Sequence, residues 1–168
     1  MARLKSEADT FGTMDQIRQA EAEDRGFLVE LARIACTLED RPLPEPDAPE
    51  VLACLPQAIN AALVAANDQN SPVGAAWWHL HEPPLVVSSD GSPLPELTMA
   101  VVEAARGRGV GTALIEALAS SAATQFAAIA LNVHLRNPAA RLYTRTGFRV
   151  AGKGRGRFGV AMTRELHG

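Results

Sequence analysis

The chain has 168 residues, 47% hydrophobic and 21% charged, with 16 Lys and Arg against 19 Asp and Glu. That length and balance suit one globular domain with a real core, and the net charge of −3 argues against a general nucleic-acid binder. No apolar run approaches the ~18 residues of a membrane span, and the opening MARLKSEADTFGTMD lacks the apolar segment of a signal peptide, so a cytoplasmic protein is expected. Residues 1–13 are mixed and polar and are expected to be disordered, leaving 14–168 as a single domain. A short strand is expected around Ile17 to Ala20, then a helix capped by Asp24 with apolar residues at 27, 28, 31, 34, 35 and 38. Four prolines between Pro42 and Pro49 demand a loop, and a second helix over EVLACLPQAINAAL is interrupted or begun at Pro56.

Beyond residue 60 the hydrophobic period changes. ALVAAND, QNSP and VGAAWWHLH read as strand, turn and strand, and EPPLVVSSDGSPLP as a long loop. ELTMAVVE returns to strand character and runs into the glycine-rich stretch Arg106-Gly107-Arg108-Gly109-Val110-Gly111. Helical spacing of Val110, Ala113, Leu114, Ala117 and Leu118 follows. AAIALNVHL has the continuous apolar composition of a central strand. NPAARLYTRTGF reads as a short helix with Asn137 as cap, Pro138 at its first position and Gly147 past its end. The remainder suits a closing hairpin with a basic turn. The order predicts a mixed α/β domain around one sheet. Cys36 and Cys54 lack a CxxC pair or histidines at metal spacing and are expected to be small buried hydrophobes, with no metal site.

A strand, a glycine-rich turn and a helix N-terminus bring together backbone N–H groups that have no partners within the helix, at the positive end of its dipole. Such a place suits a phosphate or pyrophosphate, and glycine lets oxygens reach the amides. A Walker A loop fails because Gly111, not lysine, precedes Thr112. The G-x-G-x-x-G fingerprint fails because its third glycine falls on Thr112 or Leu114.

The pattern R/Q-x-x-G-x-G/A does fit, at Arg106, Gly109 and Gly111. With ELTMAVVEAARGRGVGTALIEAL before it and LNVHLRNPAARLYTRTGF after it, the chain resembles the GNAT N-acetyltransferase superfamily over roughly residues 15–165, most strongly 96–148. The resemblance implies a central mixed, mostly antiparallel sheet of about 6–7 strands flanked by about 4 helices. It also implies an acetyl-CoA co-substrate and direct attack of an acceptor amine on the thioester. Glu103-Ala104-Ala105 departs from the proline or aromatic residue that family members often carry before the loop.

By that resemblance, pyrophosphate binding falls to the backbone of Gly107, Arg108, Gly109, Val110, Gly111 and Thr112, with Arg106 and Arg108 adding charge. TMAVV resembles the family's bulged strand, whose Val101 N–H is placed as donor to the thioester carbonyl. Asn137 matches the residue touching the CoA arm, and Tyr143, the only tyrosine, matches the general acid. Glu96 matches a carboxylate that takes the amine proton, often through water, and His79 and His81, two apart on one strand face, are alternatives. Trp77 and Trp78 point to opposite faces, and one of them is free to line an acceptor cleft. Lys153, Arg155 and Arg157 form either a solvated turn or a contact for an anionic acceptor. The acceptor is a small-molecule or peptide amine, with no membrane partner and a homodimer frequent in the family. The alternative is a binding module, either an acyl-CoA sensor without turnover or a nucleic-acid contact through the two glycine–arginine turns.

Overall fold

The computed structural model describes residues 16–37 and 41–168. The expected disordered segment 1–13 and the apolar position at 38 lie outside them. The elements are β1 (Gln16–Gln19), α1 (Arg25–Ala35), α2 (Pro49–Cys54), β2 (Leu63–Ala66), β3 (Pro72–His79), β4 (Glu96–Val101), α3 (Val110–Ala122), β5 (Ala128–His134), α4 (Ala139–Arg145), β6 (Arg149–Lys153) and β7 (Gly159–Glu165). The strands form one seven-stranded sheet in the order β1-β2-β3-β4-β5-β7-β6. Every neighbouring pair is antiparallel except β4 and β5, which are parallel and share a single ladder pair, Glu96 with Ala130. The sheet is therefore two antiparallel halves joined at one point and splayed beyond it.

Local sequence explains most boundaries, and some differ from expectation. β1 starts one residue early because Gln16 pairs with Ala66. Asp24 does not cap α1 with its side chain. Its carboxylate is buried, accepts from the Glu21 N–H at 2.7 Å and pairs with Arg18 at 2.7 Å, so it closes the 3-10 turn before the helix instead. α2 takes Pro49 at its first turn and stops at Cys54, two residues before Pro56, whose ring disfavours helical geometry upstream. The second half of that expected helix is only a 3-10 turn, Ile59–Ala61.

α1 and α2 cover one face through Leu28, Leu31 and Val51, which pack with Val64, Ala75 and Trp77. α3 and α4 cover the other, where Leu114, Ile115, Leu118, Tyr143 and Phe148 meet Ile129 and Leu131. Ala113 and Ala117, expected in the buried stripe of α3, are only half-buried; Ile115, Ala119 and Ala122 complete it. Each fully buried aliphatic side chain in this stripe contributes about 2 kcal/mol, so Leu114→Ala costs about 3 kcal/mol once its cavity is counted. Trp77 and Trp78 do point to opposite faces, and both are packing residues. Trp77 is fully buried with its indole N–H donating to the Cys54 carbonyl at 2.7 Å, and Trp78 packs edge-on against Phe126. Cys36 and Cys54 are free thiols, half-buried rather than fully buried.

Candidate active site

The glycine loop opens α3. Gly107 and Gly109 have φ of +73° and +84°, and a Cβ at either would meet no atom within 4 Å. Their left-handed geometry needs glycine, and the space beside them is open. The first bond within α3 runs from the Ala113 N–H to the Gly109 carbonyl at 3.0 Å. The N–H groups of Val110, Gly111 and Thr112 thus have no helical acceptor. Arg106 and Arg108 are exposed, and Arg106 turns back so that its Nε donates to the Val101 carbonyl at 3.1 Å. Gly111 lies against the next helix: a Cβ there would sit 2.8 Å from Leu142 Cδ2 and 3.5 Å from Met99 Cε. These open, unpaired amides around two glycines fit a pyrophosphate.

β4 leads into that loop along the edge of the splay. Its register against β3 is continuous from Gly74–Val101 to His79–Glu96. The bulge expected from the family resemblance is therefore absent: six residues of each strand match one to one, and the opening comes from the short β4–β5 ladder. The Val102 N–H donates to the Val73 carbonyl at 2.9 Å, which makes that pair hydrogen-bonded and the next, Gly74–Val101, not. By alternation the N–H groups of Val101 and Met99 point away from β3 toward the splay. Val101 was legible in the sequence by resemblance; Met99 was not. At about 3.3 Å per residue, Met99 lies roughly 10 Å along the strand from Glu96 and Val101 roughly 16 Å.

The same alternation assigns side chains to faces. Glu96 shares the α1/α2 face with His79, whereas Leu97 packs in the α3/α4 core. Tyr143 approaches from that α3/α4 side. It is 7% exposed, packs edge-on to Phe148 at 5.8 Å between ring centres, and burial pushes its phenol up to about 12. Asn137 is half-buried and accepts from the Ala139 N–H at 2.9 Å, but α4 starts at Ala139 with Pro138 in the cap position, so the helix begins one residue later than expected and Asn137 closes the turn ahead of it.

On the α1/α2 face, Glu96 is 4% exposed. Arg155, from the turn between β6 and β7, lies across it: Nη1 bonds Oε1, and Nη2 reaches Oε2 at 2.7 Å and the Pro83 carbonyl at 3.2 Å. On the other flank His81 Nε2 lies 3.7 Å from Glu96 Oε1 and is hydrogen-bonded to His79 Nε2. His79 is 5% exposed, its Nδ1 has no partner, and burial followed by the nearby His81 lowers its pKa to about 4. Burial also lowers His81. The expected sharing of one strand face does not hold: β3 ends at His79, and His81, two residues past it, turns so that its ring contacts that of His79. Arg155 is likewise not part of a freely solvated basic turn; it neutralises Glu96. Sequence spacing carried no signal for this pairing, because 59 residues separate the partners. Among the described residues no group of three or more His, Cys, Asp or Glu gathers to hold a metal, and no helix is long and apolar enough to cross a membrane.

The structure thus joins, in one α/β domain, a sheet split between two parallel strands, a phosphate-fitting loop at its mouth and ionisable side chains on either face. The sequence matches the acetyltransferase (GNAT) domain family over residues 59–150, more than half of the chain, and the chain belongs to that family of acetyltransferases. Many solved structures share its fold, three of them as follows. YncA of Salmonella typhimurium, solved with its cofactor acetyl-CoA, is 20% identical with a TM-score of 0.67, and the match covers 94% of this chain and 96% of that one. A Sinorhizobium meliloti phosphinothricin acetyltransferase in complex with acetyl-CoA is 20% identical with a TM-score of 0.64, covering 92% and 89%. A GCN5-related N-acetyltransferase of Kribbella flavida is 23% identical with a TM-score of 0.63, covering 89% and 96%. A search of curated proteins by sequence gave no match.

Proposed function

We propose that this acetyltransferase moves an acetyl group from acetyl-CoA to a small-molecule amine, with Glu96 and Tyr143 handling protons from opposite faces of the sheet. When bound, acetyl-CoA supplies the thioester that the acceptor amine attacks directly. The backbone N–H groups of Gly107 to Thr112 hold its pyrophosphate, with Arg106 and Arg108 at the rim and Asn137 beside the pantetheine arm. The Val101 N–H, or that of Met99 two residues nearer Glu96, donates to the thioester carbonyl as negative charge builds there; one such donor is worth about 3 kcal/mol.

Glu96 takes the proton of the acceptor ammonium through water, which the strand distance requires. Tyr143 holds a proton for the departing sulfur. Burial raises the phenol, keeping it protonated at neutral pH, and the same low-dielectric setting makes a thiolate there more basic. The observation that carries this reading is the splay: two backbone N–H groups face it, an acid lies on one side and a carboxylate on the other. Calorimetric titration with acetyl-CoA, beside CoA and ATP, tests the loop, and an amine panel read by thiol release tests the chemistry. Binding of acetyl-CoA and CoA but not ATP, followed by thiol release with an amine, is the expected result. No binding, or binding with no release from any amine, overturns it.

A further inference from the structure

We propose that Arg155 selects acceptors bearing a carboxylate close to the amine, α-amino acids in the simplest case, because such a zwitterion takes over both halves of the Glu96–Arg155 pair and frees Glu96 to act as base. This rests on the transferase reading above and adds a substrate class to it.

Arg155 is aimed at Glu96 by construction. Its own N–H donates to Asn132 Oδ1 at 2.8 Å, and the Gly154 N–H closes the turn on the Gly159 carbonyl at 2.9 Å. The two flanking glycines leave no room for a side chain: a Cβ on Gly154 would fall 2.1 Å from Asn132 Oδ1, and one on Gly159 1.9 Å from the Arg155 carbonyl. The turn is thus held so that the guanidinium reaches across the splay. Its side chain remains 40% exposed while that of Glu96 is 5% exposed, so an incoming molecule meets the cation first.

Charge accounting then decides what fits. Both Glu96 oxygens face one guanidinium, and a carboxylate held by a fork of N–H donors is a weak acceptor for an ammonium proton. The histidines on the other flank are driven toward neutrality by burial and add no second cation. An acceptor carrying only an ammonium would leave two cations contending for one carboxylate, with Arg155 unpaired in a partly desolvated site. A zwitterion instead balances both charges: its carboxylate takes the Arg155 fork, and its ammonium faces the released Glu96 carboxylate through water. The guanidinium and carboxylate are in hydrogen-bond contact, so the acceptor's two charges must also lie close together. The proton then passes from the ammonium through water to Glu96, and the freed amine lone pair forms the new C–N bond as the C–S bond breaks. The sulfur leaves with the bonding electron pair and takes the Tyr143 proton, and the second proton of the acylated nitrogen is lost to solvent, from which the phenolate is reprotonated.

The test compares each of the twenty L-α-amino acids with its carboxamide as acceptor, read by thiol release with acetyl-CoA. The amide has the less basic amine and at neutral pH more free amine, so intrinsic reactivity runs against the proposal. At least one amino acid is expected to exceed its amide by about 100-fold in kcat/KM. Arg155→Gln should raise KM for that acid by a similar factor, while the amide, which gains a Glu96 no longer held by the guanidinium, should not fall with it, and Arg155→Lys should recover part of the loss for the acid. Unchanged acetyl-CoA affinity by calorimetry shows that a variant is folded; should Arg155→Gln fail to fold, the acid–amide comparison in the unaltered enzyme decides. Amides accepted as well as acids, equal losses for both in Arg155→Gln, or thiol release from other amines but from no amino acid would each overturn the proposal. Absence of acetyl-CoA binding would instead overturn the transferase reading, and this proposal with it.

Discussion

The Glu96 carboxylate is buried under the guanidinium of Arg155, a residue from the opposite half of a sheet whose halves share a single ladder pair, Glu96 with Ala130. The ion pair is therefore a clasp across the splay as well as a feature of the acceptor site. Glu96→Gln separates the two roles, since the amide keeps an acceptor oxygen for Arg155 but cannot take a proton. The expected outcome is a fall in kcat of about 100-fold, in line with general-base losses, with acetyl-CoA affinity unchanged because the glycine loop lies at the far end of β4. Thiol-release kinetics and calorimetry on the same preparation check both parts. A kcat within a few-fold of the parent would transfer the base role to His81.

Tyr143→Phe keeps the ring packed against Phe148 and removes only the hydroxyl. Because this phenol is pushed up to about 12, it is protonated across the working range, and its loss should lower kcat about 10- to 100-fold. KM for the acceptor and the thermal midpoint should barely move. A parent-like rate would leave Tyr143 as a core residue only.

How far the sequence carried depends on which interactions are local. The strand–loop–helix over residues 96–122 and the strand–helix over 128–145 were legible because their signals, glycine spacing, helical periodicity and an Asn-Pro turn, act within a few residues. Asp24 was misread because its strongest partner is Arg18 on β1, so a buried ion pair overrode a capping preference. The second half of the expected α2 failed because Pro56 ends helical geometry whatever the apolar spacing beyond it. On the candidate site, Glu96, Val101 and the loop were visible as motif positions. Arg155 and the His79–His81 contact depend on how β3, β4 and the last turn stack, which no spacing within one element encodes.

Gly109→Ala tests the loop. At φ +84° the alanine carries roughly 1–2 kcal/mol of backbone strain, and its methyl projects into the open space assigned to the pyrophosphate. Acetyl-CoA affinity should weaken about 10-fold or more, with a modest drop in thermal midpoint of about 2–6 °C. Gly109→Asn tolerates the left-handed geometry better, so it should regain stability without regaining affinity. Calorimetry and melting curves on the two variants distinguish strain from obstruction; equal acetyl-CoA affinity in all three proteins would move the phosphate site elsewhere.

His79 makes a pH prediction whose sign follows from its burial. In the unfolded chain a histidine titrates near 6.5, whereas burial and the neighbouring His81 hold His79 down to about 4 in the fold. Between those values the unfolded state binds more protons, so stability falls as pH drops from about 6.5 to about 4 and levels off below. Charging the buried ring opposite His81, with Arg155 nearby and Glu96 only partly compensating, should cost on the order of 2 kcal/mol across that window, or about 4–8 °C in thermal midpoint. Asp24 acts in a different range: Arg18 lowers its pKa, so its stabilisation is full above about pH 4 and is lost only below it. Melting curves from pH 7.5 to 4 check the slope. His79→Leu should flatten most of the drop between pH 6.5 and 4 and leave a smaller one from His81, whose shift has the same direction. An unchanged slope in His79→Leu would mean that the ring is already charged, or solvated, in the folded protein.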